Sequence, residues 1–286
     1  MALGSEIREF LTTRRGRITP ELAGLHAYGT RRRVSGLRRE EVAMLAGISV
    51  EYYTQLERGS VRGVSEDVLE AVARALQLDE VERSHLLDLV RAAKQRRPVR
   101  RRRAQEIVRP GVQRLLDSMT HAAAFVRNSR LDILSANALG FSLYSEAVAN
   151  PERPTNLARF VFLDRRARGF YGDWDGIADA AAGSLRAAAG RDPYDPDLTD
   201  LVGELSMRSG DFRERWAAHD VRQYETGLQH FRHPLVGDLT LGYEALSVLA
   251  ESDQVVVAYT AELASPASEA LQRLAAWGVA PRAQPG

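Results

Sequence analysis

Leu37-Arg38-Arg39-Glu40-Glu41-Val42-Ala43-Met44-Leu45-Ala46-Gly47-Ile48-Ser49-Val50-Glu51-Tyr52-Tyr53-Thr54-Gln55-Leu56-Glu57-Arg58-Gly59 reads as two short helices meeting at Gly47. Each residue type at that junction has a mechanical reason. Glycine adopts the left-handed conformation that ends one helix and begins a sharp turn, and Ser49 offers a hydroxyl to cap the next helix. Ala43 is small enough for the second helix to cross closely, and Ile48 fills the angle between the two. Tyr53 and Leu56, three residues apart, face inward and leave Val50, Glu51, Tyr52, Thr54 and Gln55 facing outward. Gly59 ends the second helix. The spacing predicts a helix-turn-helix, a motif whose second helix enters the major groove of DNA.

Helical periodicity extends on both sides of this motif: Ile7, Phe10 and Leu11 before it, then Val42, Leu45 and Ala46 within it, then Val68, Leu69, Val72 and Leu76, then Leu86, Leu87 and Val90. No strand-like alternation interrupts the series, so an all-α N-terminal domain is expected over residues 1–93. Arg14 to Leu37 reads as a long connection carrying Pro20, Gly24, Gly29, Gly36 and Arg31-Arg32-Arg33, either an arm along a phosphate backbone or a solvated loop. Apolar periodicity stops at Lys94-Gln95-Arg96-Arg97-Pro98-Val99-Arg100-Arg101-Arg102-Arg103, which reads as a basic linker spanning 94–109.

The 286-residue chain has a net charge of only +1, but the charge is divided unevenly. Residues 1–103 hold 20 Arg and one Lys against 14 acids, a balance of +7, whereas the remainder holds 18 Arg against 24 acids, a balance of −6. Such asymmetry asks whether one half meets a polyanion. With no cysteine there is no disulfide, thiolate metal site or cysteine nucleophile. No apolar run approaches the ~18 residues of a membrane span, and the N-terminus has no basic segment followed by an apolar one, so a cytoplasmic protein with no membrane partner is expected.

Residues 110–286 read as an α+β domain with a small antiparallel sheet. Pro110-Gly111 opens a helix through Leu115, Leu116 and Met119; Asn128-Ser129 separates two apolar stretches as a hairpin turn does; Leu239–Leu246 and Gln254–Thr260 read as strands. Helices are expected between Asn156 and Trp216, and Asp211 to His233 is ambiguous. Phe125, Ile133, Leu241, Tyr243, Val257 and Tyr259 on the sheet, with Phe162 and Trp174 from the helices, are the candidates to enclose an elongated apolar ligand. His219 or Arg222 is the candidate to meet a carboxylate on it. His219, Asp220, His230 and His233 lie close in sequence, and His230 and His233 would share a helical face. Pro234 ends any such helix, and His219 beside Asp220 reads as a structural pair, so no metal site is expected. Neither Gly-x-Ser-x-Gly, His-Glu-x-x-His nor a glycine-rich phosphate loop is present, and no catalytic residue is assigned.

The helix-turn-helix resembles that of the Cro/CI-type XRE regulators, and the string from Leu37 to Gly59 resembles their MmyB-like branch. The resemblance runs on through the basic insertion before Gly36, Asp164-Arg165-Arg166-Ala167-Arg168, Leu201-Val202-Gly203-Glu204-Leu205-Ser206, Trp216-Ala217-Ala218-His219-Asp220-Val221, His233-Pro234-Leu235-Val236-Gly237 and Tyr259-Thr260-Ala261-Glu262. It implies a transcriptional regulator, not an enzyme, whose PAS-like second domain holds a small hydrophobic effector, with a fatty acid the leading class and no other cofactor. It places base reading on Val50, Glu51, Thr54 and Gln55, flanked by the Ser49 cap and Tyr52. It places phosphate contact on Arg39 and Arg58, with Arg38 beside them. Gln55 suits adenine, Glu51 suits cytosine N4 or a neighbouring arginine, and Val50 suits a thymine methyl. A homodimer on a palindromic operator in the nucleoid is the implied setting. Two alternatives remain for the second half: an enzyme domain acting on a small metabolite, and a ligand-free dimerisation domain.

Overall fold

A computed structural model describes residues 3–25, 35–94, 106–148, 155–221, 225–251 and 253–279. The Arg31-Arg32-Arg33 triplet and positions 95–105 of the basic linker lie outside them. The chain forms two compact units; the first takes the described residues through Lys94 together with 186–199 and 216–221, and the second takes the rest.

The first unit contains α1 (Leu3–Arg17), α2 (Arg39–Ala46), α3 (Val50–Glu57), α4 (Glu66–Ala75) and α5 (Glu80–Lys94). Ile7, Phe10 and Leu11 of α1, Val42 of α2, Tyr53 and Leu56 of α3, Leu69 and Val72 of α4, and Leu86 and Leu89 of α5 form one core. Gly47 takes φ +67°, and its N–H reaches back to α2 carbonyls, so the chain reverses there at no Cβ cost. The Ser49 hydroxyl accepts from the Tyr52 N–H at 3.1 Å, capping α3. At Gly59, φ +85°, a Cβ would lie 2.4 Å from the Gly4 carbonyl oxygen, so the turn after α3 admits only glycine against α1. Leu45 departs from the expected apolar face and is exposed. Contrary to the long loop expected from Arg14, α1 continues to Arg17, because Arg14 and Arg15 on its last turn find acidic partners, the buried Glu57 and the partly buried Glu82 and Asp220.

Those partners are charges that a helical bundle rarely buries. Glu57, 1% exposed at the end of α3, accepts from Arg15 Nε at 2.8 Å and Nη2 at 3.1 Å, and from Arg39 Nε at 2.8 Å. Burial alone would raise its pKa, but the hydrogen bonds and charges of Arg15 and Arg39 outweigh it and hold the carboxyl below its usual range. Arg14 contacts Glu82 at 3.0 Å and Asp220 at 3.3 Å, and donates to the His219 carbonyl at 2.8 Å. Arg186 pairs with Glu6 at 2.8 Å and lies 3.9 Å over the Trp216 ring.

The second unit holds α6 (Pro110–Ser118), β1 (Ala123–Arg127), β2 (Ile133–Ala136), α7 (Ala138–Leu143), α8 (Ser145–Val148), α9 (Leu157–Leu163), α10 (Arg166–Phe170), most of α11 (Trp174–Arg191), α12 (Pro196–Arg208) and α13 (Gly210–Ala217), then β3 (Thr226–His233), β4 (Gly237–Ser247), β5 (Val255–Thr260) and α14 (Pro266–Val279). Its sheet is antiparallel throughout, in the order β2-β1-β5-β4-β3. The hairpin expected at Asn128-Ser129 forms, and Asn128 Oδ1 accepts from the Arg130 and Asp132 N–H groups across its turn. The ambiguous segment resolves into α13 and the edge strand β3. His230 and His233 therefore sit on a strand, where an offset of three puts them on opposite faces. His233 is buried, with Nε2 3.1 Å from the Ser142 carbonyl, while His230 faces Thr240. Asn137 ties the elements together: its Nδ2 donates to Met119 and Ala122 carbonyls at 2.9 and 2.8 Å, and its Oδ1 accepts from the Ala124 and Gly140 N–H groups.

Two outcomes follow for stability. Glu57→Ala leaves two arginines without their shared anion and is expected to cost about 3–5 kcal/mol in denaturant unfolding, whereas the exposed Glu40→Ala changes it by under ~0.5 kcal/mol; equal effects would refute the buried cluster. Burial, aided by Arg186 and Arg14, lowers the pKa of His219 from 6.5 to about 4 and of His85 from 6.5 to about 3. Both imidazoles fold neutral and protonate on unfolding below pH 6.5, so their contribution is complete above pH 6.5 and is lost as pH falls toward 4 for His219 and toward 3 for His85. The thermal midpoint should decline across that interval, and His219→Asn, which tolerates the φ of +53° found there, should make the decline shallower. A flat profile would contradict the assignment.

Candidate nucleic-acid interface and effector cavity

The first candidate site is the outer face of α3. Its inner side is occupied by Tyr53, Leu56 and Glu57, all buried, so the helix has one orientation. Burial raises the Tyr53 phenol well above its ordinary pKa and keeps it neutral beside Glu57. Val50, Glu51, Tyr52 and Gln55 are exposed on the other side and Thr54 is half-buried. Arg58 follows α3 and is exposed. Arg38 opens α2 and its N–H donates to Glu41 Oε2 at 2.6 Å, while its guanidinium reaches Glu40 at 3.3 Å. Arg39 keeps 46% of its side chain exposed while holding Glu57. Among the described residues Glu51 pairs with neither Arg38 nor Arg39, which are engaged by Glu40 and Glu57. The face thus offers a carboxylate, an amide, a hydroxyl and two apolar contacts within two helical turns, flanked by cations. Base edges in a major groove are read with that chemistry, and flanking cations fix position on phosphates. Glu57 is the residue that sequence reasoning missed; its spacing of four from Tyr53 was the available signal that it shares the buried stripe.

The second candidate site is a half-open pocket of about 110 Å³ in the second unit, on the helix-covered side of the sheet. Sheet residues Phe125, Tyr243, Val257 and Tyr259 line one wall; Ile177, Ala180, Ala181 and Ser184, at successive turns of α11, line another. Tyr144 and Tyr259 share a hydroxyl contact at 2.9 Å. Burial holds both phenols neutral, pushing Tyr259 up to about 12 and Tyr144 well above its ordinary value, with the neighbouring tyrosines adding to the latter. Arg127 and Gln229 supply the remaining polar groups.

Of the residues anticipated for an effector, Phe125, Tyr243, Val257 and Tyr259 meet at this cavity. Ile133, Phe162, Trp174 and Leu241 belong to the core around it. His219 lies in the first unit, its Nε2 2.9 Å from Glu9, and Arg222 falls outside the described residues. Tyr144, Tyr171, Gln229 and Arg127 were not anticipated. Gln229 was hidden by the unrecognised strand β3, whereas Arg127 was legible as the residue two positions beyond Phe125 and hence on its face. No group of three or more His, Asp or Glu suited to a metal ion occurs among the described residues, and none of their helices is long and apolar enough to cross a membrane.

A helix-turn-helix in one unit and a lined pocket in an α+β second unit define a ligand-responsive DNA-binding regulator. Residues 108–274 match the MmyB-like transcription regulator ligand binding domain and residues 6–86 match a helix-turn-helix domain; the chain belongs to the MmyB-like transcription regulators. No curated protein matches the chain.

The tyrosine pair gives a direct check on the cavity wall. Tyr144→Phe removes one partner of a buried hydroxyl contact and should destabilise the second unit by about 0.5–1.5 kcal/mol, measured by urea unfolding; a neutral result would mean that the contact is not formed in solution.

Proposed function

We propose that the chain represses or activates transcription by docking α3 in a major groove, and that a small apolar molecule in the 110 Å³ cavity alters its operator affinity. The observation that carries the first part is the single row of exposed readers, Val50, Glu51, Tyr52, Thr54 and Gln55, on a helix whose opposite side is anchored by Glu57. Ser49 caps that helix, and Arg38, Arg39 and Arg58 approach phosphate. Residues 1–93 act as the DNA-binding domain and 110–286 as a PAS-like effector domain, joined by the basic linker 94–109. The five-stranded antiparallel sheet with helices packed on it supports the PAS-like description. A fatty acid is the effector class that the family resemblance implies; of the anticipated residues Phe125, Tyr243, Val257 and Tyr259 would meet its tail, with Ile133, Phe162, Trp174 and Leu241 backing that wall from the core. The effector must bind two states of the protein unequally to act at all. The active form is a cytoplasmic, nucleoid-bound homodimer on a palindrome with half-sites one helical turn, ~34 Å, apart.

Selection of bound DNA from a random pool, with and without cell extract, tests these points together. A palindromic site should emerge, and its enrichment should change with extract; recovery of sequences without a common site would remove the sequence-specific reading. On the selected site, Arg58→Ala should weaken binding about equally for all sequences and lower the salt slope by about one, while Gln55→Ala should lose about 1–3 kcal/mol of discrimination at one base pair. The reverse pattern would overturn the assignment of roles.

A further inference from the structure

Helices α11, α12 and α13 each divide their residues between the two units, and of the three only α11 lines the pocket. Ile177, Ala181 and Ser184 stand on its pocket side, at the offsets of four and three that make one helical stripe. The helix passes into the first unit at Arg186, two residues and ~3 Å of helical rise beyond Ser184. Its last turns are built into the core there. Ala187 belongs to the cluster formed by Phe10, Tyr53 and Leu86. Gly190 meets the buried His85 of α5 so closely that a Cβ would stand 2.6 Å from the imidazole. Arg186, 2% exposed, donates to Glu6 Oε2 on α1 at 2.8 Å and to the Trp216 carbonyl. Trp216 in turn opens a segment whose His219 carbonyl accepts from Arg14 and whose Asp220 pairs with Arg14 and Arg17. Helix α1 is thus held near its start by Arg186 and near its end by residues 219 and 220.

A buried ion pair tolerates little movement. Drawing Arg186 away from Glu6 leaves a guanidinium and a carboxylate desolvated without partners, a larger cost than sliding apolar surfaces past one another. Packed helices answer such a load by stepping between discrete positions, with shifts of ~1–2 Å. The corner at Arg186 has room for a step, because an open cleft of about 510 Å³ lies there, bordered by Glu6, Glu9, Arg186, Trp216 and His219. Helix α1 also carries Arg15, which with Arg39 holds Glu57 at the end of α3. The same helix therefore meets α11 at one turn and anchors the recognition helix at another.

Resting on the reading of the second unit as an effector domain, we infer that α11 is the coupling element of the regulator. A guest against Ile177, Ala181 and Ser184 shifts the helix, and the Arg186–Glu6 pair delivers the shift to α1 and, through Arg15 and Glu57, to the seat of α3. Regulation travels along one helix and one buried ion pair, and the basic linker serves as a tether.

The test uses the full chain, with a substitution in place of a guest. Ala181→Leu adds bulk to the pocket wall and should change affinity for the selected operator about threefold or more, with the preferred sequence unchanged. Arg186→Met combined with Glu6→Gln removes the pair without leaving either charge alone; in that background Ala181→Leu should change affinity by less than about 1.5-fold. Hydrogen exchange gives a second readout that needs no operator: Ala181→Leu should alter protection of the α1 amides only when the pair is present. Ser184→Leu, on the same stripe and half-buried, replaces Ala181→Leu if that variant does not fold. Arg186→Lys, which keeps a cation on Glu6, replaces the double substitution on the same ground and should give an intermediate response. A pocket variant that changes neither operator affinity nor α1, or one that acts equally with and without the pair, would overturn the inference; the second result would move the coupling to the linker. Adding myristate or cell extract to both backgrounds decides the effector reading separately. An equal response in both keeps that reading and removes α11 as its route, whereas no response to either addition, with an Ala181→Leu effect that needs Arg186, keeps the coupling helix and removes the effector.

Discussion

A single buried carboxylate sets the geometry of the DNA-binding unit. Glu57 comes from α3, Arg15 from α1 and Arg39 from α2, so one anion draws three helices to a common point. A buried ion pair contributes little net stability, because desolvating the charges costs about what their attraction returns. What such a pair does supply is a unique arrangement, since any rotation of α3 that separates Glu57 from its arginines strands charge in a low-dielectric interior. The apolar contacts of Tyr53 and Leu56 would tolerate small rotations of the helix. The carboxylate would not, and it therefore fixes which side of α3 is presented outward.

The second unit is built on a different balance. Its sheet is held by antiparallel ladders and by Asn137, whose side chain satisfies backbone groups of four surrounding segments. Within this frame the pocket opens between the sheet and α11, so its lining is less tightly packed than the core around it. A guest that fills it recovers dispersion contacts as well as hydrogen bonds. Any guest that binds the folded unit and not the unfolded chain stabilises it by mass action.

The helix-turn-helix was legible because its turn residues have narrow physical roles: Gly47 for a positive φ, Ser49 for a cap, Tyr53 and Leu56 for the inner stripe. The hairpin at Asn128 and the strands β4 and β5 were legible for similar reasons, from a turn residue or an apolar β-branched run. Strand β3 was not. Thr226-Gly227-Leu228-Gln229-His230-Phe231-Arg232-His233 lies at a sheet edge, mixes polar side chains on both faces and buries Gln229 and His233, so neither alternation nor apolarity marks it. Glu57 and Arg127 escaped for a common reason. A charged residue is read as solvent-facing by default, and only its offset from an apolar neighbour, four on a helix or two on a strand, reveals that it points inward. The partners of Arg14 on Glu82 and Asp220 have no sequence signal, because they depend on tertiary packing alone.

The α11 wall of the cavity has a consequence for descent with modification. Ile177, Ala180, Ala181 and Ser184 follow the helical repeat and are small except for the first, so each is a place where one added or removed methyl resizes the chamber. None of them belongs to the sheet ladders or to the α3 reading face. The shape of the pocket can thus change through one helical stripe while the outer face of α3 stays as it was.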